Sequence, residues 1–416
     1  PIRMRPLSGS FVMTTHHPTP DACIACTACV IACPVAKATP DYLGPRLTGP
    51  AYERFRLLGL AEEPSLHYCS NCKNCDISCP HGVPVSTLNL MARAAQCRAH
   101  RPALRDWVLA HGALLAKLLR PLPARLKNSG MLNPLTRGLL DRLGISANAP
   151  MPAFAPAPFR EQLARTYQGL LPRKVALFPG CFIDLYDPRT GFDLVWALNR
   201  AGYEAVIPRE FSCCGLPMIA NGFENDARAA AKRNLRALRR LHDQKIPILS
   251  SCPSCVLMLN RDVPEFFPDL VGDAGRMPRV LDAQAFLLDC VERGELPLTR
   301  ENDFAEHAVY HAPCHLRAQG GGLPGYELLR QLPGIRIENA DAGCCGISGS
   351  YGFKKEKYAI GMDVGAPLFD RVRRSGARLS CSECGTCRLQ LEHGAHRPSL
   401  HPVTLLRRAL EKTPRT

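Results

Sequence analysis

The chain has 416 residues, of which 46% are apolar and 21% charged, and its net charge is +15. This length suits two or three domains, and this balance is that of a folded protein, which excludes wholesale disorder and fibrous repeats. A mean hydropathy of −0.10 and the lack of an apolar run of 18 residues predict no membrane-spanning helix.

Residues 1–17 lack the apolar centre of a signal peptide and are expected to form a disordered extension. Because the sequence opens on Pro1, Met4 or Met13 is an alternative start. The chain holds 21 cysteines. Without a secretory signal, they read as metal ligands and not as a disulfide framework.

Residues 18–100 carry two matching runs. The first is Cys23-x2-Cys26-x2-Cys29-x3-Cys33-Pro34 and the second is Cys69-x2-Cys72-x2-Cys75-x3-Cys79-Pro80. This is the ferredoxin spacing for [4Fe-4S] clusters. Three thiolates on a tight loop grip one side of a cubane, and the fourth must arrive from elsewhere. In two-cluster ferredoxins the last cysteine of each run serves the other cluster. Cys23, Cys26, Cys29 and Cys79 are therefore expected to hold one cluster, and Cys69, Cys72, Cys75 and Cys33 the other. Zinc is the alternative metal, but it does not need this rhythm twice. The connection PDYLGPRLTGPAYERFRLLGLAEE reads as a turn followed by a helix. That longer connection resembles the α-helical ferredoxin of succinate dehydrogenase iron–sulfur subunits.

Residues 101–173 read as a basic amphipathic linker. From Arg93 to Leu143 there are ten Lys or Arg against two Asp. Leu104, Val108, Leu115, Leu118 and Leu122 follow helical spacing, which predicts a basic amphipathic helix for a membrane surface or a partner. A helix packed on its own protein is the alternative. PLPARLKNSG and the Pro-rich APMPAFAPAPF are breaks.

From Lys174 on, the cysteine pattern repeats. Cys181, Cys213-Cys214-Gly215 and Cys252-x2-Cys255 recur as Cys314, Cys344-Cys345-Gly346 and Cys384-x2-Cys387, with offsets of 131 to 133 residues. The copies are placed at 174–300 and 301–416. In each, short strands (KVALF and HAVYH, EAVIPREF and IRIENA, PILSS and ARLS) alternate with helices (LVWALNRAGY and GYELLRQLPG, DARAAAKRNLRALRRLHDQ and VGAPLFDRVRRSG). That alternation predicts a parallel sheet with the cysteines gathered at the carboxyl ends of its strands. Cys97, Cys290 and Cys381 fall outside the pattern and are expected to be buried apolar residues. Cys381 also forms a CxxC with Cys384, but the repeat offset favours Cys384 and Cys387. Gly320–Gly325 fits GxGxxG without the strand that a dinucleotide site requires, so a loop before a helix is expected. His311, His315, Lys354 and Lys355 are expected to be polar surface, with tuning of a nearby cluster as the alternative.

The second half resembles the cysteine-rich CCG domain, found twice in the B subunit of heterodisulfide reductase. That resemblance implies that Cys181, Cys213, Cys214, Cys252 and Cys255, and Cys314, Cys344, Cys345, Cys384 and Cys387, hold one or two noncubane [4Fe-4S] clusters, or zinc. The fold expected is an α-helical ferredoxin domain followed by tandem α/β CCG domains. CIACTACVIACPV, DYLGPRLTGP, CSNCKNCDISCP, CCGLPMIANGF, HAPCHL and CCGISGSYGFKKEKY resemble the family of anaerobic glycerol-3-phosphate dehydrogenase C subunits. The tail HPVTLLRRAL is similar too. The resemblance implies an electron-transfer subunit with two cubane clusters and no flavin or NAD in this chain. It implies a FAD-containing dehydrogenase partner, delivery to membrane quinone, and a peripheral position on the cytoplasmic face of the inner membrane. No catalytic residue for a substrate is visible, and no nucleic-acid-binding pattern accompanies the basic charge. The alternatives are the iron–sulfur subunit of a glycolate or lactate oxidising complex, a thiol–disulfide reductase, and a zinc-stabilised scaffold.

Overall fold

A computed structural model describes residues 19–59, 63–164, 171–272, 277–299 and 303–411. The extension expected over 1–17 lies outside them.

The two ferredoxin runs adopt the same backbone. Ala25 and Thr27 in the first loop, and Asn71 and Lys73 in the second, have φ between 55° and 66°. A left-handed non-glycine residue costs about 1–3 kcal/mol, so its repetition at matching positions marks a functional turn. Short helices follow at Ala28–Ile31 and Asn74–Ile77. Cys33 caps the helix Pro34–Ala38, its sulfur accepting the Ala36 N–H at 3.5 Å, with Pro34 at the first helical position where its missing N–H costs nothing. The connection forms a π-helical turn at Leu47–Ala51 and a helix at Tyr52–Leu57. The longest helix of this region, Val85–Ala99, buries Val85, Leu88 and Leu90.

The linker is not one amphipathic helix. It breaks into Leu104–Ala110, Gly112–Leu118, Ala124–Leu132 and Pro134–Arg142. His111 leaves the helical region at the first break, its ring bonded to Trp107 O and to Asp226. Pro121, Pro123 and Pro134 limit the others. The predicted stripe therefore divides. Val108 and Leu115 are half-buried, while Leu104, Leu118 and Leu122 are exposed.

The cysteine-rich half contains two four-stranded parallel sheets. Strands β1 (Arg173–Leu177), β2 (Tyr203–Val206), β3 (Ile248–Ser250) and β4 (Val280–Asp282) lie in the order β2-β1-β3-β4. Strands β5 (Glu306–Tyr310), β6 (Ile335–Asn339), β7 (Leu379–Cys381) and β8 (Ser399–Leu400) lie in the order β6-β5-β7-β8. The edge strands β4 and β8 escaped the sequence reading because three and two residues show no periodicity. Each leads into a helix that crosses to the other repeat. Ala283–Glu292 packs on Pro324–Arg330, and Pro402–Leu410 packs on Pro188–Arg200. Leu194, Leu198, Leu287, Leu328, Leu405 and Leu406 consequently belong to one apolar core.

The ferredoxin loop Asn71–Asn74 is wedged between the repeats. Lys73 Nζ meets Asp262 Oδ1 at 2.9 Å, and neither side chain is exposed. Burial opposes the lysine's charge, but Asp262, Asp76 and Glu265 outweigh it and raise its pKa. On the other flank, His315 Nε2 donates to the Asn71 carbonyl at 2.9 Å, and Nδ1 accepts from Ser254 Oγ at 2.9 Å. The stretch Tyr351–Lys357 closes the assembly. Lys354, expected on the surface, is buried and pairs with Asp106 at 2.7 Å. Lys355 remains exposed and pairs with Asp141. The Lys357 ammonium lies over the Tyr351 ring and donates to His67 O.

Two predictions follow from this packing. Gly346 has φ +87°, and a Cβ there would lie 1.8 Å from Gly361 O, whereas at Gly343 (φ +84°) it would meet nothing within 4 Å. Gly346→Ala is therefore expected to lower the thermal midpoint well beyond Gly343→Ala, which carries only the backbone strain of about 1–3 kcal/mol. Asp262→Asn strands a buried ammonium and is expected to cost about 3–5 kcal/mol, while the double variant Lys73→Met/Asp262→Leu recovers most of that loss in the same melting measurement.

Candidate iron–sulfur centres

The repeated cysteines fall into four groups of thiols. In the first, Cys23, Cys26 and Cys29 come from one loop and Cys79 from the other run. Burial pushes the Cys29 thiol up, and the nearby Cys23, Cys79 and Cys26 push it further. Val83, Val85 and Leu88 wall this group, and Cys26 is exposed. In the second group Cys69, Cys72 and Cys75 meet Cys33 from the first run. Burial lifts Cys33 to about 11, with Cys69 adding to the rise, and it lifts Cys72 and Cys75 as well. The structure thus brings the last cysteine of each run to the other run's loop. N–H groups already point at these sulfurs, from Asn89 Nδ2 to Cys69 (3.5 Å) and from the Val83 amide to Cys79 (3.4 Å).

The repeated cysteines of the other half form two chains with the same order of contacts. Cys181 bonds Cys213, which is joined through Cys214 to Cys255 and then Cys252. Cys314 bonds Cys344, which is joined through Cys345 to Cys387 and then Cys384. Cys345 and Cys387 are 3.2 Å apart. Hydrogen bonds from Cys344 and Cys387 lower the Cys345 thiol to about 6. The bond from Cys387 lowers Cys384 to about 6, against burial. Their partners Cys344 and Cys387 are pushed up in turn by the same hydrogen bonds and by burial. Strand geometry explains the convergence: β1, β3, β5 and β7 all end just before these cysteines, at one rim of their sheets.

The chemistry of these donor sets fits iron–sulfur clusters. The two ferredoxin loops combine convergent thiols, most of them at least partly buried, with the alternating backbone that forms anion-binding concavities of N–H groups. Cys97, Cys290 and Cys381 stay apart: Cys97 is near Asn221, while Cys290 and Cys381 lie in the shared core. Gly320–Leu323 forms a loop, and the helix begins at Pro324.

The groups are not evenly placed. Cys72 packs directly with Cys314 and Cys344. Arg317 bridges this junction, donating to Cys314 Sγ and Asn74 Oδ1, each at 3.4 Å. The sequence reading missed Arg317, although it lies one helical turn beyond Cys314. Its counterpart by repeat offset is Asp184, which pairs with Arg160 at 2.9 Å and touches no thiol among the contacts described. A cavity of about 280 Å³ adjoins both repeated sets; Cys181, Cys213, Cys314, Cys345 and Cys387 line it, with Val108, Leu109, Met131, Phe182, Leu216 and Phe353. His311, expected on the surface, is buried beside Cys345 and Cys387.

Residues 20–83 match the 4Fe-4S dicluster domain, and residues 175–260 and 308–392 match the cysteine-rich domain CCG. The chain is 27% identical over 397 residues to the B subunit of the fumarate reductase (CoM/CoB) of Methanothermobacter marburgensis, covering 92% of this chain and 70% of that protein. It is 30% identical over 189 residues to lactate utilization protein A 2 of Bacillus cereus AH820, covering 44% and 74%. It is 36% identical over 393 residues to the C subunit of the anaerobic glycerol-3-phosphate dehydrogenase of Escherichia coli K12, covering 93% of this chain and 98% of that one. With its helical cysteine-rich N-terminal region and two parallel α/β sheets, this chain belongs to the family of anaerobic glycerol-3-phosphate dehydrogenase C subunits, iron–sulfur electron-transfer subunits of oxidoreductases.

Proposed function

We propose that this chain relays electrons from a FAD-containing glycerol-3-phosphate dehydrogenase subunit toward membrane quinone. The observation that carries the route is the direct packing of Cys72 against Cys314 and Cys344. Cys23, Cys26, Cys29 and Cys79 would hold one [4Fe-4S] cubane, and Cys69, Cys72, Cys75 and Cys33 the other. Cys181, Cys213, Cys214, Cys252 and Cys255, and Cys314, Cys344, Cys345, Cys384 and Cys387, would each hold a noncubane cluster. Bound clusters supply one-electron steps that divide the two-electron oxidation of a flavin. The division proposed is a ferredoxin region at 18–100, a linker at 101–173 and cysteine-rich halves at 174–300 and 301–416.

The protein's own side chains set the direction and the insulation. Cys26 is exposed, and Ile24 and Ile31 beside it are 63% and 68% exposed, which suits the approach of a donor subunit at the first thiol group. Lys73, His315 and Arg317 keep the second group close to the thiols of residues 314–387. The cavity beside the repeated sets is lined by thiols of both, so it offers room that the clusters would fill. Among the described residues no helix is long and apolar enough to cross a membrane. Leu104, Leu118, Leu126, Leu132, Leu135 and Leu139 are exposed on the basic linker helices, a combination suited to the face of an anionic bilayer. This supports peripheral attachment to a membrane surface, which in the proposed reading is the cytoplasmic face of the inner membrane.

Glycerol 3-phosphate added to the anaerobically isolated complex is expected to bleach its iron–sulfur absorbance. Bleaching by glycolate or lactate alone would move the chain to a hydroxy-acid complex. Iron and labile-sulfide analysis should exceed about 8 of each per chain, the content of two four-iron clusters, and Cys79→Ala should remove about 4 iron. A count of zinc in their place would sink the relay.

A further inference from the structure

The two repeats are superficially alike in their thiols but differ at one buried position. Phe178 follows β1 and donates its backbone N–H to Leu249 O at 2.8 Å. His311 follows β5 and donates its backbone N–H to Cys381 O at 2.8 Å. The two residues therefore hold the same place in the two sheets. Phe178 is fully buried and packs on Phe211, with ring centroids 5.0 Å apart. His311 is 2% exposed, and its Nε2 has no hydrogen-bond partner. A buried polar atom without a partner costs about 1–3 kcal/mol and calls for a reason.

The surroundings supply one. A ring nitrogen of His311, Cys345 Sγ and Cys387 Sγ all lie within 4.8 Å of one another. This spacing lets three donors share a metal ion. We propose that His311 Nε2 is a ligand to iron in the centre of the second repeat, making that centre chemically distinct from the one formed by Cys181 to Cys255. The assignment rests on the iron–sulfur reading above. The first repeat has no such donor at the matching place, because a phenyl ring fills it. All five cysteines of the second repeat are present, so the imidazole adds a ligand to that centre and replaces no thiolate. The second repeat is also the one that packs against Cys72.

His311→Phe copies the residue that the first repeat already accommodates, so the variant is expected to fold. The full chain, prepared anaerobically with 57Fe, is read by Mössbauer spectroscopy, which detects every iron whatever its spin. The expected result is one distinct iron component that His311→Phe alters while His242→Gln, at an exposed helix position, does not. Pulsed EPR of chain carrying 15N-histidine should show a directly bonded nitrogen that the same variant removes. An unchanged Mössbauer spectrum in His311→Phe overturns the assignment. Iron and sulfide counts on the parent chain separate the two possible failures: a normal count with an unchanged spectrum rejects His311 alone, and a count lacking iron in the second repeat rejects the assignment together with the cluster reading beneath it.

Discussion

The arrangement depends on the loop Asn71–Asn74 being held between two repeats that it does not belong to. Lys73 fastens it to the first repeat through Asp262, and His315 and Arg317 fasten it to the second. A buried ion pair of this kind adds little stability over an apolar pair, but breaking one side of it is costly. Its value here is positional. It keeps Cys72 against Cys314 and Cys344, and electron transfer between centres requires that closeness to persist.

The second constraint is the joint core of the repeats. Each repeat lends its last helix to the other, so Leu405 and Leu406 pack with Leu194 and Leu198 while Leu287 packs with Leu328. The exchange holds the two strand-end rims in one orientation. It also explains why the thiol chains sit on either side of a shared apolar cavity and do not face separate solvent clefts. The glycine of each CCG triplet serves the same end. Gly215 and Gly346 take φ of 98° and 87°, and at Gly346 the helix Lys355–Arg374 passes too close for any side chain.

Much of the site was legible because metal chemistry imposes local spacing. The x2-x2-x3-Cys-Pro rhythm and the constant repeat offset required no knowledge of distant contacts. The strands before each cysteine were legible for the same reason, being short apolar runs ending at a ligand. Other features were invisible because their cause is distant in the chain. His311 and Lys354 are polar residue types that usually stay at the surface, and only the sheet and the Asp106 helix bury them. Strands β4 and β8 exist because β3 and β7 offer an edge to pair with. The linker's leucines satisfied a helical period, yet His111 and the prolines broke the helix and turned several of them outward.

The sequence by itself determined the class of protein: the cysteine types, their spacing and their duplication are properties of chain segments a few residues long. Tertiary structure alone decided which thiol groups adjoin and where the two repeats differ. Those depend on which loops meet, and meeting is settled by burial of Lys73 with Asp262, by the exchanged helices and by the single buried position that holds Phe178 in one sheet and His311 in the other.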